Sequence, residues 1–548
     1  MVESGGRVCY TMNKPIMPEA KTEKTAARTR TEREVPLMKL PTKRIIFVGF
    51  AFFLICTFWQ AYDTIIPKIL TDKFGMSQSL SGIIMALDNI LALFMLPLFG
   101  AISDRTKHRL GKRTPYILIG TIVAAVFLVT LTFADNAQLH QIAKVATVDD
   151  EEALTELYNH EYSTELMTPD GETYNLREKF TREEFVSIRT ERDGKSDPYY
   201  VNYVVPARQA YAREVTAENP APLIIFIAIL LVILIAMATF RSPAVALMPD
   251  VTPKPLRSQA NAVINLMGTA GGILVLGMGI VFKTGADKNA LMSYTPFFAV
   301  VAGVMILALL IFLWQVKEPK LVEKAEEESR ALGIDDGEEE EDGKRKLSKA
   351  ERISLLFLLL SVVLWFMGYN AVTSKYSVYA GKVLNLDYNL TLLVANIAAI
   401  ISYIPVGFVA SKIGRKKTIL AGVVMLSVSF GVAAFLREGS PALLMNLMFA
   451  LAGIGWATIN VNSFPMVVEL AKGGNVGRYT GYYYTASMAA QTITPYLSGL
   501  LMDKAGMTTL FPYAVVFSAL AFVSMLPVRH GDSRPPMKKN KLEMLDND

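Results

Sequence analysis

Pro97–Gly120 reads PLFGAISDRTKHRLGKRTPYILIG. It begins as the end of one apolar run and finishes as the start of the next. Between them lie Arg105, Lys107, Arg109, Lys112 and Arg113, with Asp104 as the one acid. A loop this short and this basic between two membrane spans stays on the cytoplasmic side. That fixes the orientation of two helices, and alternation fixes the rest. Gly100 and Asp104 are about one helical turn apart and share a face. On that face Gly100 lets a neighbouring helix approach closely. Asp104 is placed to accept hydrogen bonds from that neighbour's N-terminus or from an arginine.

The rest of the chain fits a membrane setting. Its 548 residues are 52% hydrophobic and 19% charged, the profile of a polytopic membrane protein and not of a soluble domain. Several apolar runs reach the roughly 20 residues needed to cross a bilayer. The net charge of +5 is accounted for by cytoplasmic loops and gives no case for nucleic acid. The two cysteines, Cys9 and Cys56, form no disulfide framework and no metal-ligand spacing. No phosphate loop or nucleophile constellation is visible, so an enzyme is not expected, and no cofactor or metal is implied.

In chain order, residues 1–43 read as a polar cytoplasmic tail. Apolar runs follow at about 44–66, 80–102 and 115–133. Residues 136–221 are polar and too weakly apolar to span; by alternation they form an extracellular insertion, either a small domain or a loop. Within it Tyr199–Val205 reads as a short strand, and His140 and His160 lack the paired spacing of a metal site. Further runs lie at about 223–240, 263–282 and 296–314, completing a first bundle over 44–316. Arg241–Arg257 reads as the cytoplasmic return after the fourth run. A charged cytoplasmic linker, 317–351, leads to a second bundle of six runs over 352–528 and a cytoplasmic tail, 529–548. The expected architecture is therefore all-α, twelve transmembrane helices in two six-helix bundles.

The halves also resemble each other. Tyr62-Asp63-x4-Lys68 matches Tyr369-Asn370-x4-Lys375, with Trp59 and Trp365 just upstream. Gly111-Lys112-Arg113 matches Gly414-Arg415-Lys416, and Gly100-x3-Asp104 matches Gly407-x3-Ser411. Asp250 with Arg257 matches Glu469 with Arg478. Such repeats favour alternating access around a central site.

Gly100-x3-Asp104-Arg105 followed by Gly111-Lys112-Arg113 resembles the helix 2–3 loop of the major facilitator superfamily. The longer run from Gly111 to Gly120 resembles the glycoside–pentoside–hexuronide:cation symporters and the related sucrose-transporter group. The resemblance implies a secondary transporter in a prokaryotic cell membrane, with both termini cytoplasmic, working as a monomer among membrane lipids. It departs from the pattern in two places. Leu96 and Ala92 stand where many glycoside symporters carry aspartates of a sodium site, and Val245 stands where the sucrose carriers carry an arginine. Gly100, Asp104, Arg105, Gly111, Arg113, Asp250, Arg257, Glu469 and Arg478 are read as gating latches.

A carboxylate at the bilayer centre costs about 2.5–3.5 kcal/mol on insertion scales, so it needs a partner, a cavity or a proton. Asp63 and Asp88 are the two candidates for ion coupling, with a proton expected before sodium. A sugar site needs flat aromatic faces and planar hydrogen-bonding groups. Trp59, Tyr62, Asp63, Asn89, Trp365, Tyr369, Asn370, Trp456, Asn460 and Gln491 supply them. Of Asn460 and Asn462, which lie on different faces of one helix, one is expected to face the site. The reading is a carrier of a sugar or glycoside with a cation. Its alternatives are an exporter of an amphiphilic compound and a nutrient sensor or binding protein built on the insertion.

Overall fold

The computed structural model describes residues 41–192, 195–253, 256–331, 347–470 and 476–531. The expected N-terminal tail up to residue 40, the middle of the linker and the C-terminal tail beyond residue 531 lie outside the described residues. The first half contains α1 (Thr42–Lys68, continued by a π turn Ile69–Lys73), α2 (Gln78–Arg105) and α3 (Thr114–Gln141). After the insertion, with α4 (Glu151–Asn159) and α5 (Val205–Glu218), come α6 (Ala221–Asp250), α7 (Arg257–Phe282) and α8 (Thr295–Gln315). An amphipathic α9 (Glu318–Ala331) starts the linker. The second half holds α10 (Lys349–Tyr379, continued by a π turn Ala380–Leu384), α11 (Tyr388–Ile413), α12 (Arg415–Ala433), α13 (Ala442–Glu469), α14 (Val476–Ala505) and α15 (Leu510–Met525).

Among the described residues, 10 helices are long and apolar enough to cross a membrane. The remaining long helices, α11 and α14, pack against α13 and α2 of those ten. The packing repeats between halves: α1 packs on α7 and α8 as α10 packs on α14 and α15, and α3 packs on α6 and α8 as α12 packs on α13 and α15. Across the molecule α2 meets α14 and α7 meets α11, which are equivalent pairs under the same exchange of halves. The repeat seen in the motifs is thus also a repeat of helix pairings.

The crossings between halves are tight because small residues stand there. A Cβ at Gly82 would lie 2.1 Å from the Pro495 carbonyl oxygen, and one at Gly499 2.3 Å from that of Gln78. This is backbone against backbone, which glycine permits in membrane helices. Asp503 near the end of α14 accepts the amides of Gln78 and Ser79 at 2.7 and 2.8 Å. A carboxylate there satisfies two otherwise unpaired donors and opposes the positive end of α2.

Several sequence boundaries move. The first run extends from residue 66 to Lys73, α3 runs on to Gln141, and the fourth run extends from 240 to Asp250. Proline inside α6, at 243 and 249, does not end it, since membrane helices re-satisfy the freed backbone groups. Tyr199–Val205 is no strand: Tyr200–Val204 is a π turn leading into α5. Tyr200, Val201 and Val204 are buried together, a helical spacing that a short apolar run does not distinguish from a strand. The insertion folds around its own apolar cluster, including Ile142, Leu157, Phe185, Tyr200 and Val204. It is referred to below as the cap, and carries a hairpin pairing Leu166 with Tyr174.

Candidate functional site

A cavity of ≈760 Å³ lies between the halves, within the about 300–1,000 Å³ usual for small-molecule sites. α1 supplies Phe52, Cys56, Trp59, Gln60 and Asp63, a single face at spacings of three and four. α2 supplies Asp88 and Asn89, α7 Asn265 and Thr269, α10 Asn370 and α13 Asn460. α14 adds Tyr483, Tyr484 and Gln491, while Asn396 and Tyr403 come from α11. Asn462 points elsewhere, buried and donating to the Thr458 carbonyl at 2.9 Å.

Among the described residues, three acidic or basic side chains line the cavity: Asp63, Asp88 and Arg241. Asp63 and Asp88 interact electrostatically with each other and with Arg241. Asn89 Nδ2 donates to Asp88 Oδ1 at 2.8 Å. The Arg241 guanidinium carbon stands 5.6 Å from the centre of the Trp59 ring, a cation–π distance. Sequence reasoning missed Arg241 by placing it at the start of a cytoplasmic return. It is in α6, which continues for another nine residues, and it faces the cavity. The available signal was a single cation ahead of an apolar Pro-Ala-Val-Ala-Leu continuation.

Four of the proposed aromatics do not line the cavity. Trp365 is fully buried, and Tyr62 is 2% exposed, packed against Phe58 and Trp59. Tyr369 and Trp456 lie face to face, centroids 3.7 Å apart and planes within 2°, so each covers the face of the other. Trp59 alone of the proposed aromatics lies at the cavity wall, with Asp63, Asp88, Asn89, Asn370, Asn460 and Gln491.

At the end carrying the basic loop, Arg113 gathers acids from two helices. It donates from Nε to Asp250 at 2.9 Å, and further to Asp104 and the Ser103 hydroxyl. Lys112 stands 3.3 Å from Asp250. Gly100 admits α6: a Cβ there would lie 2.9 Å from Ser242 Oγ. In the second half Arg415 pairs with Glu469 at 2.7 Å, the counterpart of the Asp250 contacts and a partner the sequence reading did not name. Arg105 is exposed and stands outside the cluster. Arg257 donates to the nearby Thr252 carbonyl at 3.2 Å, not to Asp250. The Arg478 side chain lies outside the described residues. Each of these ion pairs stays within one half.

Glu318, also missed, completes this end. It is 1% exposed and accepts the amides of Lys112, Arg113 and Thr114 at 2.7, 2.9 and 2.8 Å, together with the Thr114 hydroxyl. These are the orphan donors at the start of α3. Gly111 has φ 110° and a Cβ there would lie 2.2 Å from the Glu318 carboxyl carbon, so both the backbone conformation and the space demand glycine. Gly111→Ala is expected to cost about 1–3 kcal/mol, read as a lower Tm in detergent; an unchanged Tm would refute the packing.

The opposite end, beneath the cap, joins the halves. Lys382 pairs with Asp72 at 2.9 Å. Lys375 Nζ donates to the Gln78 carbonyl at 2.6 Å, and Asn389 donates to Thr284 at 3.1 Å. Beside them Lys73, fully buried, donates to both oxygens of Asp135 at 2.6 and 2.7 Å and to the Met292 carbonyl at 2.7 Å.

Comparison with known proteins agrees with this fold. The family model described as Major Facilitator Superfamily matches residues 215–403 and 388–545, and that of an MFS/sugar transport protein matches residues 47–145. The chain belongs to the Major Facilitator Superfamily, a family of transporters and not of enzymes. Its relatives include "Putative glycoside/cation symporter YagG" of Escherichia coli (strain K12), 35% identical over 75 residues, 14% of this chain and 16% of that one. "MFS-type transporter ppzB" of Metarhizium rileyi (strain RCEF 4871) is 24% identical over 123 residues, 22% of this chain and 25% of that one. The chain thus aligns with about a quarter or less of the length of these relatives. Among solved structures, the inward open xylose transporter XylE from E. coli has a TM-score of 0.54 at 14% identity, covering 92% of this chain and 99% of that one. A bacterial homologue of the iron transporter ferroportin, inward-facing, has 0.54 at 13% identity, covering 89% and 99%. These likenesses are of fold.

Proposed function

We propose that the chain is a secondary transporter that moves a sugar or glycoside together with a proton by alternating access. The observation that carries this is the cavity itself. Two carboxylates and one arginine share it with a wall of amides and hydroxyls from both halves. Such planar donors and acceptors, with Trp59 as an apolar face, suit a polyhydroxylated ring. The match of residues 47–145 to an MFS/sugar transport family and the resemblance to YagG point the same way.

The charges suggest the division of labour. Arg241 can balance one carboxylate only. Asn89 donates to Asp88 and fixes its carboxyl group at the cavity wall; Asp88 is assigned as the partner of Arg241. Asp63 is the carboxylate left over, and it takes the coupling proton. With the proton on, the loaded cavity is neutral and the halves can rock past it.

In this reading all twelve long helices span the cell membrane, α11 and α14 included. The basic loop and both termini face the cytoplasm, and the cap lies outside. The halves are joined on the cap side, so the structure corresponds to a state facing inward. The latches at Arg113–Asp250 and Arg415–Glu469 hold each half rigid, and they rearrange when the cycle brings those ends together.

The test is uptake by proteoliposomes under an imposed pH gradient, inside alkaline, with a panel of labelled mono- and disaccharides. Accumulation of at least one sugar, collapsed by a protonophore, is expected. Absence of uptake of every sugar with either proton or sodium gradients would refute the reading.

A further inference from the structure

The cap is bonded to both halves at once. On the first half, Gln209 Nε2 donates to Asp72 at 2.9 Å and Gln138 donates to Thr216 at 2.8 Å. Gly75, at φ 65°, presses against α5: a Cβ there would lie 2.3 Å from the Arg213 amide nitrogen. On the second half, the π turn Tyr200–Val204 packs against Ala380–Leu384, and a hairpin tip makes a further contact. Its turn is closed by the Gly171 amide donating to Thr168 at 2.9 Å. The Met507 amide donates to the Pro169 carbonyl at 2.7 Å, and Asp170 faces Arg437 at 3.7 Å. A Cβ at Gly506 would lie 2.7 Å from the Asp170 carbonyl carbon, so the two backbones touch.

Asp72 ties these contacts together. It accepts from Gln209 of the cap and pairs with Lys382 of the second half. Between cap and halves lies a second cavity of ≈230 Å³, lined by Gln78, Glu165, Gln209, Arg213, Lys382 and Asp503 among others. Gln78 and Met85, on the walls of the outer and central cavities, are about two turns apart on α2. The junction of α2 with α14 is therefore the barrier between the two spaces.

We propose that the cap is a clamp on the outer gate. The tip Thr168–Gly171 holds the second half while α5 holds the first, and the gate parts only after the tip leaves Gly506 and Met507. The polar space beneath the cap then becomes the vestibule through which substrate reaches the central cavity. A two-state barrier between halves needs a contact that is made in one state and broken in the other, and this tip is a backbone hydrogen-bonded contact of the cap with the far half. The proposal rests on the alternating-access reading above, so its test is chosen to need no substrate.

Pro169→Cys and Met507→Cys are introduced together in the full chain, reconstituted, and cross-linked with copper phenanthroline. The readout is hydrogen–deuterium exchange of the gate peptides, residues 78–90 and 491–505, with the loop at 105–113 as internal reference. Pro169→Cys alone and Met507→Cys alone, each also carrying the native Cys9 and Cys56, receive the same oxidant as controls. The disulfide is expected to form, to slow gate exchange at least about tenfold against the reduced sample, and to leave the reference unchanged. Failure of the disulfide to form, or equal gate exchange in oxidised and reduced protein, overturns the clamp. Because no sugar is added, a failed uptake assay leaves this result standing.

Discussion

Asp63→Asn is expected to abolish accumulation driven by a pH gradient while leaving sugar exchange across the membrane intact. A gradient of one pH unit is worth about 1.4 kcal/mol per proton, about tenfold accumulation. A carrier that cannot take the proton loses that factor and equilibrates its substrate instead. The amide keeps the size of the carboxyl group and mimics its protonated form, so the loaded cavity still crosses. Asp88→Asn is expected to differ in kind. It removes one of the two carboxylates beside Arg241, so that with the proton on Asp63 a cation is left unbalanced at the cavity wall, and exchange and accumulation both fall. Counterflow and gradient-driven uptake, measured on the same proteoliposomes, separate the two. Full accumulation by both variants would remove the carboxylates from the mechanism.

Lys73→Met is expected to destabilise the protein by about 3–5 kcal/mol, the cost of stranding a buried partner of an ion pair. Lys73 and Asp135 have 0% and 1% of their side chains exposed, and water cannot take over for the missing ammonium. The Lys73 ammonium also sits 4.5 Å from the Tyr294 ring centre, adding a contact that the thioether loses. Replacing both partners, as Lys73→Met with Asp135→Leu, is expected to recover most of the loss, because no orphan charge remains. Thermal unfolding in detergent and a double-mutant cycle measure this. A single variant as stable as the parent would mean that the pair is solvated.

The fold was legible because membrane spans write themselves as long apolar runs. Asp63, Asp88, Asn370 and Asn460 were legible for a related reason: polar groups inside such runs are costly and must face something. What was illegible depended on which helix lies beside which. Tyr369 and Trp456 looked like sugar platforms, yet they stack on one another across α10 and α13, a contact between residues far apart in sequence. Glu318 caps α3 from more than 200 residues downstream. Lys73 and Asp135 lie beyond the ends of the runs at 44–66 and 115–133, and nothing local in the sequence shows that they meet. Arg241 was lost to a boundary: a cation followed by two prolines reads as a helix end, and in a membrane helix it need not be one. The cap showed only its polarity, because its apolar residues are spread over short elements and converge only when those fold.

The most direct test of the central claim is whether sugar itself moves protons. Proteoliposomes with entrapped pyranine, at equal pH inside and out, receive the sugar that scores highest in the uptake panel. The account predicts acidification of the lumen on sugar addition by the parent protein and none by Asp63→Asn, which still exchanges the sugar. Sugar entry by the parent protein with no change in lumenal pH would contradict proton coupling, and with it the role assigned to Asp63.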